Sequence, residues 1–282
     1  MPGLTPAFEH CFPFPIWRLV FGPSGPAGGQ VTAELRNGTD PALFLSTLDL
    51  PEGRPVAEVK AELPFHASLQ AVRNGLGLYH RFDNSRLPVP TAIGALDLRT
   101  GKPLWEWPGH ILVGADAETV RARRTSVTDT GLMPVVGFRL SDGSPVEAPV
   151  NFPENDNSGL RFPVSYTESN VYRPVIDRFV KKLTEHSPFG IIDYLEVADK
   201  IIISYYFHEN NHQLRSYLLI TDRQQTIWLH QRTAPFTDPA RTTSGTQNPP
   251  SESSGNFCIW HDQIIFQQSQ SCIRSYYLKH TP

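Results

Sequence analysis

The sequence predicts an all-β protein of propeller type, and three observations carry that prediction. Helix formers are scarce, while 26 Pro and 20 Gly in 282 residues punctuate short runs rich in Val, Ile, Leu, Phe and Tyr, the composition of many short strands joined by turns. A strand, turn, strand unit recurs along the chain. Its spacing, 40 to 50 residues over most of the sequence, is that of one propeller blade.

The clearest unit is residues 92–107, AIGALDLRTGKPLWEW, an apolar strand, a tight turn from Asp97 to Gly101 and a second strand carrying Trp105. Residues 43–59 and 134–149 repeat its shape, with Gly53 and Gly143 in the turns, where the chain needs a positive φ. Residues 216–231 keep both strands and a tryptophan, Trp228, but put Gln where the glycine should be. The first apolar residues of the second strands, Val56, Leu104, Val146 and Ile227, lie 48, 42 and 81 residues apart. The long interval contains residues 168–184, where Val171, Val175, Phe179 and Leu183 fall at helical spacing, so it reads as one blade plus a helical insertion, with two blades as the alternative.

The segment PIWRL, residues 15–19, resembles the second strand PLWEW without a partner before it, and CIRSYYLKH, residues 272–280, resembles a first strand without a second. Each end supplies what the other lacks. The expectation is a single domain over 1–282, five blades closed by an amino-terminal strand around Trp17 that completes the carboxy-terminal blade, with six blades as the alternative. Further strands are expected at residues 69–74, 77–83, 111–115, 119–124, 191–197, 201–208, 256–260 and 263–268. Residues 232–256, dense in Ser, Thr, Pro and Gly, read as a mobile loop.

The unit 92–107 resembles the quinoprotein-type β-propeller repeat, matched at Ala95, Leu96, Asp97, Leu98, Thr100, Gly101, Leu104 and Trp105. The chain as a whole is similar to a family of uncharacterised bacterial propeller-like proteins, a resemblance that implies a fold and no known activity. The quinone enzymes with this repeat are larger rings with vicinal cysteines and an export signal. This chain shows neither, so no cofactor is expected. Trp17, Trp105 and Trp228 read as one repeat position that packs between blades, and Asp97, Gly101 and Gly143 as turn formers.

Charge excludes some partners. Lys and Arg number 25 against 28 Asp and Glu, a formal net charge of -3, which gives no general attraction to nucleic acid or anionic lipid. Residues 1–15 lack the basic and apolar regions of a secretory signal, and no stretch is long and apolar enough to span a bilayer. Three cysteines, Cys11, Cys258 and Cys272, lack metal-ligand spacing and scaffold density, so a reducing cytoplasm is expected, with Cys258 and Cys272, on the first and third strands of one blade, as free thiols.

The sharpest chemical pattern is His208-Glu209-Asn210-Asn211-His212, which satisfies the H-E-x-x-H zinc signature. That chemistry needs a helix to bring both imidazoles to one ion. Strand-like runs flank the motif here, with Asn-Asn between them, so a hairpin tip is expected and no metal. Arg121, Arg123 and Arg124 read as a solvated strand edge. The resulting expectation is a non-catalytic binding or scaffold propeller for an unknown protein or small molecule. The alternative is a small-molecule hydrolase or lyase at the mouth of the central channel, using His80, Tyr206 and His208.

Overall fold

A computed structural model describes residues 3–23, 29–38, 41–83, 89–125, 134–147, 159–209, 213–234 and 256–279. They divide into two compact units, one comprising Phe14–Ser158 and the other Met1–Pro13 with Gly159–Pro282.

The unit of residues 14–158 holds three four-stranded antiparallel sheets, each a meander of consecutive strands. The first contains β2 (Ile16–Phe21), β3 (Gln30–Arg36), β4 (Leu43–Asp49) and β5 (Arg54–Ala61); the second β6 (Ser68–Arg73), β7 (Leu76–Arg81), β8 (Ala92–Asp97) and β9 (Pro103–Pro108). The third contains β10 (His110–Ala115), β11 (Thr119–Arg124), β12 (Val135–Arg139) and β13 (Pro145–Val146). Alternation puts apolar side chains on both faces of the middle strands. Val20, Leu43, Leu45 and Ala61 of the first sheet pack on Leu69, Val72, Tyr79 and Leu96 of the second. Leu78, Ile93, Ala95 and Trp105, on the second sheet's opposite face, pack on Val120, Ala122 and Phe138 of the third.

The repeat turns dock these sheets. Asp97 accepts the backbone N–H groups of Arg99 and Thr100 at 2.7 and 2.9 Å, which shapes the turn for Gly101 at φ 72°. A Cβ on Gly101 would stand 2.6 Å from the Lys60 carbonyl oxygen at the end of β5, closer than real Cβ contacts. Gly143, at φ 70°, presses in the same way on Trp105, whose ring would lie 2.7 Å from an added Cβ. Trp105 in turn donates its indole N–H to the Leu140 carbonyl at 2.9 Å.

The other unit holds two five-stranded sheets and α1 (Arg173–Thr184), the helix among the described residues. One sheet runs β15 (Val164–Tyr166), β16 (Phe189–Val197), β17 (Lys200–His208), β18 (Leu214–Asp222) and β19 (Ile227–Thr233). The other is ordered β1 (Thr5–Cys11), β22 (Cys272–Tyr277), β21 (Gln263–Gln267), β20 (Phe257–Trp260) and β14 (Leu160–Arg161). Ile202, Leu218 and Ile220 face Phe257, Ile259, Ile264 and Phe266 of the neighbouring sheet. On the reverse face, Ile192, Ile203, Tyr205 and Leu219 take the Ile176 and Val180 stripe of α1.

Three expectations need correction. An amino-terminal strand does pair with β22, but it is β1, with Thr5 opposite Tyr277 and Cys11 opposite Cys272; the segment around Trp17 is β2, the first strand of the first sheet. A strand at residues 5–11 has Pro6 and Phe8 in a polar run, too weak an alternation to read from sequence. Trp17 therefore does not share a position with Trp105 on β9 and Trp228 on β19. Finally, Cys11 and Cys272 are joined in a disulfide across 261 residues, leaving Cys258 as a buried free thiol. Direct opposition of β1 and β22 brings together two cysteines that the sequence spacing keeps apart. The expected loop overlaps β19 at residues 232–233, and its residues 235–255 lie outside the described set.

Candidate functional site

The three residues singled out for binding occupy different settings. His80 is on β7, in the unit of residues 14–158, and its Nε2 accepts the Leu112 backbone N–H at 2.8 Å. That bond requires the neutral ring. Burial first, and Arg18 second, push its pKa down to about 4. Tyr206 and His208 lie two residues apart, on one face of β17 of the other unit. Tyr206 is buried, and burial pushes its phenol up to about 12. Around it, Asn256 donates to Ser204 at 3.0 Å and to buried Asp193 at 3.3 Å, and Ser165 donates to Asp193 at 2.7 Å. His208 is exposed, edge-on to the Phe189 ring at 4.7 Å. It ends a strand, with Glu209 N–H bonded to the Gln213 carbonyl at 3.0 Å, so the helical context that H-E-x-x-H requires is missing at its first half. His212, Asn210 and Asn211 lie outside the described residues. Among the described residues no group of three His, Cys, Asp or Glu side chains is arranged to hold a metal ion.

A different cluster forms where α1 meets the β17, β18 and β19 sheet. The helix stops at Glu185, whose φ of 64° is left-handed and whose N–H returns to the Lys181 carbonyl at 2.9 Å. The turn lays His186 flat on Phe207, ring centroids 4.0 Å apart and planes 2° from parallel. Strand alternation brings Tyr205, Phe207, Tyr217 and His230 to the same face. His186 Nδ1 and His230 Nε2 each lie 2.9 Å from the Tyr205 hydroxyl, and that hydroxyl also donates toward Thr184 Oγ1 at 3.4 Å. One phenol proton serves several acceptors, so an imidazole N–H must fill part of the network.

Electrostatics keep this cluster neutral. Burial lowers the His186 pKa, and burial with the neighbouring His186 pushes His230 down to about 4, although His230 taken as a whole residue is exposed. Burial raises the Tyr205 phenol beyond its ordinary range. Glu209 beside the cluster accepts from Tyr217 and lies 3.7 Å from Arg215; the Tyr217 bond, first, holds its carboxyl low. Two neutral imidazoles on a protonated phenol can pass a proton or hydrogen-bond a polar ligand. Only the alternating aromatics of β17 and β18 hinted at this site, because His186 and His230 lie on separate elements that the sequence does not bring together.

No protein-family model matches the chain, and no curated protein matches it. Solved structures with some likeness include a DUF4221 family member from Bacteroides vulgatus, 8% identical over 97% of each chain with a TM-score of 0.36. The Dos1 propeller is 10% identical over 98% of this chain and 96% of its own, with a TM-score of 0.37. Similarity at this level defines neither family nor function.

Proposed function

We propose that the chain is a non-catalytic, propeller-type binding module with a quinoprotein-like repeat, its five sheets acting as blades and β1 completing the last. Its ligand would be a protein or small molecule rather than nucleic acid or a membrane surface. One observation carries the reading: the candidate catalytic groups are spent on the fold, His80 Nε2 on the Leu112 N–H and Tyr206 in a buried polar network. A cytoplasmic location belonged to the same expectation. The Cys11–Cys272 bond argues against it, since such bonds persist in oxidising compartments, and no described helix is long and apolar enough to cross a membrane.

A hydrolase or lyase is the second reading, favoured by the neutral His186 and His230 around Tyr205. The test is a panel of chromogenic ester and elimination substrates against wild type and Tyr205→Phe, alongside calorimetric titration of any partner recovered by crosslinking. Defined stoichiometric binding without turnover supports the module. Turnover that disappears in a folded Tyr205→Phe protein overturns it.

A further inference from the structure

We propose that the Cys11–Cys272 disulfide is a thiol-controlled latch on β1, so that a dithiol reductant frees this one strand while the rest of its unit stays folded. The bond lies at the surface of its unit: Cys11 is an exposed residue and Cys272 a half-buried one. The strand is lightly held otherwise. None of its seven side chains is buried, whereas Ile273 and Ser275 of its neighbour β22 are fully so. It sits at the edge of its sheet and, among the described residues, pairs with β22 alone. Pro6 offers no N–H to the ladder, and the register slips between Pro6 and Phe8. Glu9 pairs with Arg274, 2.9 Å from its Nε, an exposed ion pair of the kind that adds little. Beneath it, β20, β21 and β22 keep their own hydrogen bonds and their packing on the β17 and β18 sheet, so the fully buried part of that core comes from these strands, and the amino-terminal segment adds to it only through its flanks, half-buried Leu4 and buried Phe12.

The chemistry balances. One thiolate of the reductant attacks the sulfur of Cys11, the more exposed of the two residues, the Cys11–Cys272 bond breaks and Cys272 leaves as thiolate. The second thiol of the reductant then resolves the mixed disulfide and departs with its partner as a cyclic disulfide. Two electrons and two protons have passed to the protein, leaving two thiols. Cys258 takes no part, since it is buried and its burial keeps it protonated. Release of β1 leaves the outer edge of β22 with unpaired backbone groups, a state confined to the reduced protein.

The test is hydrogen exchange on full-length protein before and after dithiothreitol, with thiols counted by alkylation under native conditions. Before reduction no cysteine should alkylate; after it, two should, with Cys258 reacting only on denaturation. Amides of Thr5–Cys11 and of their partners in β22 should then exchange at least about tenfold faster, while those of β17 and β18 keep their rates. Cys11→Ser/Cys272→Ser should show the fast pattern without reductant. The proposal is overturned if β1 stays equally protected after reduction, if air-purified protein alkylates at both cysteines, or if reduction or the double variant unfolds the whole unit, which would make the bond a structural staple.

Discussion

Both units bury a carboxylate, and they do so differently. In the unit of residues 14–158, Glu34 is fully buried on β3, accepts the Leu69 N–H at 2.7 Å and pairs with Arg36 at 2.5 Å, tying the first sheet to the second. Arg36 itself donates to the Ala67 carbonyl and lies over the Trp17 and Phe65 rings. In the other unit, buried Asp193 is held by Ser165 and by the Asn256 N–H, with neutral donors in place of a cation. An ion pair that loses one partner strands a charge, whereas a neutral network loses only hydrogen bonds. The first junction should therefore be the more brittle.

That contrast sets the order of expected effects. Glu34→Ala, which leaves Arg36 buried without its carboxylate, should cost about 3–5 kcal/mol by urea denaturation. Asp193→Ala should cost about 1–3 kcal/mol; equal losses would erase the distinction between the junctions. Gly143→Ala combines a left-handed φ with a clash on Trp105 and should cost about 2–3 kcal/mol, against about 1–2 for Gly75→Ala, whose φ is 76° with open space around it. If the two glycine variants melt together, the Trp105 contact is looser than its geometry.

Acid should weaken both units over one pH window. His80 in one, and His186 and His230 in the other, have folded pKa values below the unfolded imidazole value. The unfolded chain therefore binds protons first, and stability present above about pH 6.5 is lost as pH falls toward 4. His80→Gln, which keeps an acceptor for Leu112, should flatten part of this slope in urea midpoints measured between those pH values. An unchanged slope would assign the acid sensitivity elsewhere. The smallest effect is a gain: Gln225 holds φ 68° in the fourth repeat turn, so Gln225→Gly should stabilise by up to about 1 kcal/mol.

The same turn marks how far the sequence could be read. Gln at the glycine position of residues 216–231 still adopts the left-handed φ that glycine adopts at 53, 101 and 143, because Asp222 accepts the Thr226 N–H and the Trp228 indole, doing at that turn what Asp97 does at its own. Local patterns such as 119–124, which matches β11, were legible because alternation and turn residues are short-range. The strand β1, its bond to Cys272 and the meeting of His186 with Tyr205 and His230 were not. Each joins segments that only the folded chain brings together, and none has a periodic signal of its own.

The pairing of β1 with β22 also sets a timetable for synthesis. Residues 14–158 draw their sheet contacts from neighbouring stretches and could fold as they emerge, but β1 must wait until residue 277, the end of its partner strand, has been made. At ribosomal rates of about 5–20 residues per second, that wait is on the order of tens of seconds. Until Cys272 has been made, Cys11 is a nascent-chain thiol without its native partner.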